Sequence, residues 1–404
     1  MEFQNIEGGG TTSPQGFSAG AAQASLKKPG RYDLAVLISD IPAKAAAVFT
    51  TNKFQAAPVL VSRKHLIQEK SKGIVVNSGF ANACTGVPGL SDAEKMTEIT
   101  AKNLGCAKEE VLVASTGVIG VFLPMDRIEK GISEACANLS PENGHRAALA
   151  IMTTDTFVKE AALQYQYMGE IITIGGMVKG SGMIHPDMAT LLGFITTDAV
   201  IDRKCLKKAL DRAVQDSFNM VTVDRDTSTN DSLFLLANGA AGNVPIEDSD
   251  SEGFAIFQEA LRCLLIQLTK MIARDGEGAT KMLEVKVSGA KDINDARLGA
   301  RSIAASNLVK AAIFGEDANW GRIVCALGYS KADFDPTLVD VFIGELAVAH
   351  NGEGLKFDED LAKEILKKDT IIIRVALNQG EASATAWGCD LTYDYVKING
   401  DYRT

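Results

Sequence analysis

The apolar residues of the chain fall into short unbroken runs and longer runs with helical spacing. The short runs, each bounded by turn residues, predict strands over 33–39, 73–78, 111–116, 191–197, 282–289 and 370–378. The longer runs, in which apolar residues recur every three or four positions, predict helices over 92–104, 202–218 and 252–273. Strands and helices mix without a strict βαβ alternation, which predicts an α+β fold rather than a doubly wound parallel sheet.

Local signals bound the first of these helices and predict one further strand, in the tail. Ser91 and Glu94 have the spacing of a capping box and Gly105 suits a C-terminal cap, so the first predicted helix is bounded on both sides. The tail "CDLTYDYVKINGDYRT" is rich in aromatic residues and predicts a strand ahead of Asn399 and Thr404. Chain ends usually fray, but such a strand would tie this one down.

Composition narrows the class of protein. A length of 404 residues exceeds one comfortable hydrophobic core, which predicts two domains or two intertwined lobes. A formal net charge of -10 repels a phosphate backbone, so we expect no nucleic-acid partner. The start lacks a leader pattern and no run is apolar enough for a membrane helix, which predicts a cytoplasmic protein and no membrane partner. A mitochondrial or plastid protein whose transit peptide had been removed would give the same pattern.

Familiar site motifs are absent or incomplete in the sequence. The seven cysteines and four histidines are dispersed, and we expect neither disulfides nor a metal site. The glycines at 8–10 and 276–278 lack the residues that a phosphate loop or a dinucleotide fingerprint requires. The stretch "DRDTSTND" resembles a calcium loop, but Thr229 stands where glycine is needed and Leu235 where glutamate is needed. A cluster of side-chain-bonded turns explains it better.

The stretch "KGSGMIHPDMATLLGFITTDA" passes from a glycine-studded loop straight into an apolar run, with Thr190 at the junction. Thr190 can simply begin a strand, because β-branched residues suit pleated structure. Alternatively, cleavage of the chain before Thr190 would place a hydroxyl and a new α-amine on one residue, as nucleophile and base. The second interpretation agrees with the lack of a recognisable histidine-based triad.

Other polar residues also have two interpretations. Thr116 and Gly117 follow an apolar strand, where they either form an ordinary turn or direct a hydroxyl and an amide at an oxyanion. The hydroxyls of "MTTDT" over 152–156 either contact a substrate or cap a helix. Lys179 is either solvated or binds a carboxylate, and Glu277 either binds an ammonium or lies harmlessly in a loop.

Taken together, these segments resemble the ornithine acetyltransferase (glutamate N-acetyltransferase) family of the cyclic arginine pathway. The resemblance covers essentially the whole chain and rests on "GGGTTSPQGFSAGAA", "VVNSGFANACTG", "ASTGVIG", "MTTDT", "GGMVKGSGMIHPDMATLLGFITTDA", "TVDRDTSTNDS", "ARDGEGATK", "GEDANWGRI" and "INGDYRT". It implies a layered α/β/β/α sandwich of mixed sheets, like that of the internally cleaved aminopeptidases.

Members of the family cleave themselves at an Ala-Thr bond within the segment "KGSGMIHPDMAT", and this bond corresponds to Ala189 and Thr190 here. The resemblance thus implies an α chain of residues 1–189 and a β chain of residues 190–404, assembled as an α2β2 heterotetramer. It makes Thr190 the nucleophile and Thr116 and Gly117 the oxyanion-hole pair. Its substrate-binding positions correspond to Thr153, Lys179, Thr190, Glu277, Asn399 and Thr404.

The implied activity is acetyl transfer from N-acetylornithine to glutamate by a ping-pong mechanism through an acetyl-Thr190 intermediate. No metal or cofactor is expected, and the sequence leaves open whether acetyl-CoA is a second donor. Two departures from the family pattern are visible: Phe80 stands where asparagine is common, and Arg225 where glycine is usual. The alternatives are an aminopeptidase or amidase of the same scaffold, in which water accepts the acyl group, and a binding protein without activity.

Overall fold

The computed structural model describes residues 3–27, 29–185 and 191–401. The strands in this part of the chain are β1 Gln4–Asn5, β2 Phe17–Ala22, β3 Leu34–Phe49, β4 Ser71–Phe80, β5 Val111–Val118, β6 Lys159–Tyr167, β7 Glu170–Lys179, β8 Leu192–Thr197, β9 Ser232–Ala237, β10 Met282–Ala290, β11 Asp340–Ile343, β12 Leu346–His350, β13 Glu353–Gly354, β14 Thr370–Ala376 and β15 Ala382–Cys389. The helices are α1 Ala57–His65, α2 Gly86–Leu104, α3 Met125–Ala137, α4 Gly144–Ile151, α5 Arg203–Gln215, α6 Glu252–Arg274, α7 Ile293–Ala305, α8 Asn307–Phe314, α9 Trp320–Gly328, α10 Glu359–Leu366 and α11 Tyr393–Asp401.

Strand β3 is long enough to belong to both halves of the larger sheet. The strand order is β1-β6-β7-β8-β9-β3-β4-β5, and β2 also pairs with β3. Residues 34–38 of β3 pair with β4, and residues 44–49 pair with β9. The register shifts between Ile38 and Ala43, and the residues between them include three exposed positions, so the two halves of β3 serve different partners.

The period-2 alternation of the strands separates the layers. Phe234 and Leu236 of β9 share a buried cluster with Phe17 and Leu37 from the other half of the sheet. The alternate residues of β9, such as Leu233, belong instead to the cluster that contains the apolar faces of α5 and α6. Helices α2 and α3 cover the outer face of β3 to β5. The layers are therefore helix, sheet, sheet and helix, and the predicted fold class is confirmed.

A smaller six-stranded sheet, in the order β13-β12-β11-β14-β10-β15, forms the second part of the molecule. Strand β10 pairs in parallel with β14 and antiparallel with β15, so this sheet is mixed as well. Helix α6 contacts β6 and β7 of the larger sheet and β10 and β15 of the smaller one. Its broad apolar face, which the sequence predicts to pack on a sheet, is buried as expected.

The helix predicted over 92–104 is confirmed as part of α2, with Gly105 as its C-terminal cap, but its predicted start and the predicted strand in the tail are wrong. Helix α2 begins at Gly86, so Ser91 lies inside the helix and forms no capping box. Its first turn contains Pro88, which a helix tolerates there because the missing N–H would be unpaired anyway. The tail forms helix α11 rather than a strand, and its start is held by the hydroxyl of Thr392, which accepts a hydrogen bond from the Tyr395 N–H.

The predicted chain boundary at Ala189 and Thr190 lies outside the described residues. On either side of it, β7 and β8 are antiparallel neighbours in the larger sheet. Residues from before and after position 190 thus build one core. Within the three described ranges, no helix is both long and apolar enough to span a membrane.

Candidate active site

One cavity of about 340 Å³ brings together the predicted site positions that the structure describes. Residues from widely separated parts of the chain line it, among them Thr116, Gly117, Thr153, Lys179, Glu277 and Asn399. Thr190, Ala189 and Thr404 lie outside the described residues. Leu191, which follows Thr190 in the chain, lines the cavity.

The end of β5 supplies the wall at which an oxyanion hole is predicted. Gly117 has φ +135°, and a β-carbon there would lie 2.2 Å from the carbonyl carbon of Gly79 on the neighbouring strand β4. Only glycine permits this backbone and this close approach. The ammonium of Lys179, at the end of β7, donates a hydrogen bond of 3.4 Å to the hydroxyl of Thr116. The wall thus combines a cation, a hydroxyl and a glycine backbone.

Glu277 forms a second subsite with helix α11. Its side chain is buried, and the amide of Asn399 donates a 2.8 Å hydrogen bond to its carboxylate. The Glu277 N–H donates to the carbonyl of Ser181, which brings the loop around Gly182 against the carboxylate. A β-carbon on Gly182 would lie 2.4 Å from that carboxylate. A buried carboxylate with a neutral amide partner suits a ligand ammonium.

A buried charged network holds the loops that carry Thr153, Lys179 and Glu277. The ammonium of Lys159 donates to Asp155 at 2.6 Å and to Asp275 at 2.5 Å. The Asp155 carboxylate also accepts hydrogen bonds from the backbone N–H groups of Thr153 and Gly180, the latter next to Lys179. We name Asp155, Lys159 and Asp275 the anchoring triad.

Asp275 ties the triad to two further segments. Its carboxylate accepts from the N–H and the hydroxyl of Thr156, and its backbone carbonyl accepts from the Ser181 hydroxyl at 2.6 Å. The hydroxyls of "MTTDT" are thereby divided: Thr153 and Thr154 line the cavity, whereas Thr156 is engaged by Asp275. Burial acts to raise the pKa of the Asp155 carboxyl, but the charges of Lys159 and Lys179 lower it to about 2.

The stretch "DRDTSTND" contributes cavity residues that the sequence analysis did not assign to the site. The Asp224 carboxylate accepts from the N–H groups of Met183 and Ile184 at 2.6 and 2.8 Å, and burial raises its pKa. Asp231 is fully buried in the cavity wall, and burial raises the pKa of its carboxyl well above the ordinary value. The signal in the sequence was this dense run of Asp, Ser and Thr, which the turn interpretation explained without a ligand.

The structure also shows the surroundings of Phe80 and Arg225, the two departures from the family pattern. Phe80 is partly buried and packs against the cluster that covers the outer face of β3 to β5. Arg225 has φ +71°, the left-handed backbone that favours glycine, at the position where the family usually has one. Across residues 3–27, 29–185 and 191–401, no group of three His, Cys, Asp or Glu side chains is placed to hold a metal ion.

Comparisons with known proteins find relatives that match almost the whole chain. The ArgJ family model matches residues 18–404. The arginine biosynthesis bifunctional protein ArgJ of Symbiobacterium thermophilum is 54% identical over 398 residues, which cover 98% of this chain and 99% of the relative. ArgJ 1 of Clostridium acetobutylicum, with the same description, is 52% identical over 392 residues, or 96% of each chain.

A solved structure is similar as well. The crystal structure of the arginine biosynthesis bifunctional protein ArgJ from Bacillus halodurans is 45% identical in sequence and matches with a TM-score of 0.50, covering 52% of this chain and 98% of that one. The match of the family model over almost the entire length, together with these identities, shows that the chain belongs to the ArgJ family and is an acyltransferase.

Proposed function

We propose that the protein transfers an acetyl group from N-acetylornithine to glutamate through an acetyl-Thr190 intermediate, as an ornithine acetyltransferase of arginine biosynthesis. The observation that carries this proposal is the single cavity lined by Thr116, Gly117, Lys179 and the Glu277–Asn399 pair, next to the residue that follows Thr190. Each of these groups matches one need of acyl transfer to and from an amino acid.

The nucleophile is made by self-cleavage between Ala189 and Thr190. The Thr190 hydroxyl attacks the Ala189 carbonyl, and water hydrolyses the resulting ester, which frees the α-amine of Thr190. That amine, with an ordinary pKa of about 8, then accepts the hydroxyl proton during catalysis. The Bacillus halodurans chain supports this step, because it is matched over nearly its full length yet corresponds to only about half of this chain.

Acetyl transfer proceeds in two half-reactions. Thr190 takes the acetyl group from N-acetylornithine, ornithine leaves, and glutamate takes the acetyl group from Thr190. Thr116 and the Gly117 backbone stabilise the oxyanion in both halves, and one such donor typically contributes about 100- to 1000-fold in rate. Lys179, which contacts Thr116, holds the α-carboxylate near the acyl group, and Glu277 holds the ornithine ammonium, assisted by Asn399.

Several further parts of the proposal follow from the family. Chains 1–189 and 190–404 form an α2β2 heterotetramer in the cytoplasm, and Thr404 completes the substrate site with Thr153. The reaction uses no metal or cofactor. Acetyl-CoA is a second acetyl donor, which agrees with the word bifunctional in the names of the relatives.

The experiment is a comparison of the purified protein with Thr190→Ala. We expect the native protein to give two fragments, the second starting at Thr190, and to show parallel lines in double-reciprocal plots for N-acetylornithine and glutamate. The alanine variant is expected to stay uncut and inactive. A single uncut chain with full transfer activity would refute the proposal. Acetate release at a rate that does not depend on glutamate would identify an amidase instead.

A further inference from the structure

Asp231 has an oxygen that the surrounding protein does not use. Among the described residues that line the cavity, it is the one whose side chain has a fully buried atom, Oδ2, without a hydrogen-bond partner. The side chain is 3% exposed. The neighbouring Ser228 acts to lower the pKa of its carboxyl group, but Oδ2 itself accepts no hydrogen bond. Buried polar atoms are normally hydrogen-bonded, so an oxygen without a partner in a cavity wall indicates that a bound ligand or reactant supplies the hydrogen bond.

The strand pairing places Asp231 beside Leu191, the residue that follows the proposed nucleophile in the chain. Asp231 directly precedes β9, and the N–H of Ser232 donates to the carbonyl of Leu191 at 2.9 Å. The parallel register pairs Leu192 with Ser232, and neighbouring strands lie about 4.8 Å apart. Asp231, one residue before Ser232, therefore lies close to Leu191.

We propose that Asp231 is a further catalytic residue, whose carboxyl group gives a proton to the amine nitrogen that leaves and takes one from the amine that attacks. This inference rests on the proposed acetyl transfer. Burial raises the pKa of Asp231, which favours a protonated carboxyl, and Lys179 and Ser228 oppose that shift. The other titratable groups that line the cavity are Asp224, Asp226, Glu277 and Tyr395.

The proton balance closes over the two half-reactions. In the first, the bond from Thr190 Oγ to the acetyl carbon forms and the bond from that carbon to nitrogen breaks. The Thr190 amine takes the hydroxyl proton, and Asp231 protonates the departing nitrogen. In the second, the glutamate amine forms the new bond, Asp231 takes its surplus proton, and the Thr190 ammonium returns a proton to Oγ. Ornithine takes up one solvent proton and the incoming glutamate releases one.

Self-cleavage expels an amine as well. When Oγ of Thr190 displaces its own nitrogen from the Ala189 carbonyl carbon, that nitrogen also needs a proton, and under the same proposal Asp231 supplies it. We therefore expect one residue to serve both reactions.

The test varies the leaving group. In Asp231→Asn the amide keeps the size of the side chain and an oxygen that can accept hydrogen bonds, but the carboxylic acid proton is lost. Acetylation of the Thr190 fragment is followed by intact mass with two donors, N-acetylornithine and p-nitrophenyl acetate, whose phenolate leaves without a proton. We expect the rate with N-acetylornithine to fall about 100- to 10,000-fold, as for a lost general acid, and the rate with the ester to change less than about threefold.

The matched control is Asp198→Asn. Asp198 is a buried aspartate that directly follows β8, and burial also raises its pKa. Both of its carboxylate oxygens accept hydrogen bonds from backbone N–H groups, those of Thr173 and Gln15. Its variant is expected to keep the native ratio of the two donors and the native cleavage rate. Asp231→Glu, which retains a titratable carboxyl, is expected to recover part of the loss.

The outcomes separate this inference from the proposed function. Equal loss with both donors, or no loss with either, would overturn the role of Asp231 while leaving Thr190 acetylation intact. Absence of acetylation at Thr190 in the native protein would refute the proposed function itself. Two results together would support the inference. Asp231→Asn would be cleaved slowly, and its cleaved molecules would lose the rate with N-acetylornithine while keeping the rate with p-nitrophenyl acetate.

Discussion

Asp155 and Asp231 are both buried aspartates near one cavity, but their surroundings act on them in opposite directions. Asp155 is paired with Lys159 and bonded by two backbone N–H groups, so its pKa falls to about 2 in spite of burial. Asp231 keeps an unused oxygen, and burial raises its pKa. The comparison teaches that a buried carboxylate paired with a cation stays charged and fixes loops in place, whereas burial without such a partner raises the pKa, as the proposed proton transfer by Asp231 requires.

The largest effect is expected from Lys159→Met, which removes the cation of the anchoring triad. The variant would leave Asp155 and Asp275 buried without their cation, and removing one partner of a buried ion pair typically destabilises a protein by about 3–5 kcal/mol. Urea unfolding followed by circular dichroism measures the change. The control is Lys207→Met, which removes an exposed pair with Asp211 and is expected to change stability by at most about 1 kcal/mol. Equal effects of the two variants would show that the anchoring triad does not support the fold.

The opposite pKa shifts predict opposite pH dependences for Asp155→Asn and Asp231→Asn. The folded-state pKa of Asp155 lies below its ordinary value of 3.8, so its contribution of about 2 kcal/mol is present above that value and is lost as the pH falls towards 2. Asp155→Asn should therefore flatten the acid limb of stability. Asp231 has a raised pKa, so the folded protein keeps a proton that the unfolded chain loses above pH ~4, and stability falls as the pH rises. Asp231→Asn should remove that fall.

The measurement is the free energy of unfolding from pH 3 to pH 8 for the native protein and both variants. The difference between variant and native protein should slope in opposite directions with pH for the two sites. Slopes of the same sign would contradict the contrast, because both residues would then respond to burial alone.

Local periodicity predicted the strands β3, β4, β5, β8, β10 and β14 and the helices α2, α5 and α6, whereas the layered arrangement was implied by the family resemblance. The apolar faces of α5 and α6 were enough to predict both helices, but β9, at Ser232–Ala237, is not among the predicted strands. The early start of α2 and the helical tail were not predicted, since proline is usually a helix breaker although the first turn tolerates it, and the aromatic residues of the tail suit a strand.

The site was predicted from the resemblance rather than from spacing. The anchoring triad joins Asp275 to Lys159 across 116 positions of the chain, so no local sequence pattern predicts it. Asp231 was set aside with the rejected calcium loop, because only the fold shows that its oxygen is buried in a cavity wall.

A smaller effect is expected at the loop that the anchoring triad holds, from Gly182→Ala. The new methyl group would lie 2.4 Å from the Glu277 carboxylate, which must move away from its place beside Asn399. We expect the KM for N-acetylornithine to rise about tenfold with kcat within about threefold, since binding of the ammonium weakens while the acyl site stays intact. Gly328→Ala, with no atom within 4 Å of the new methyl group, is the control and should leave both constants unchanged. A fall in kcat at constant KM would place Glu277 at the reacting centre instead.

The smallest effect is expected in the loop that carries Asp231, from Arg225→Gly. Arg225 adopts φ +71°, and a left-handed backbone costs a residue other than glycine about 1 kcal/mol. Glycine removes that strain but makes the unfolded chain more flexible, so we expect a net stabilisation below about 1 kcal/mol in urea unfolding. Arg225→Ala keeps the strained backbone and removes the same charge. A gain with glycine alone therefore assigns the effect to the backbone, whereas an equal gain with alanine assigns it to the exposed arginine side chain and shows that the loop around Asp231 is not held under strain.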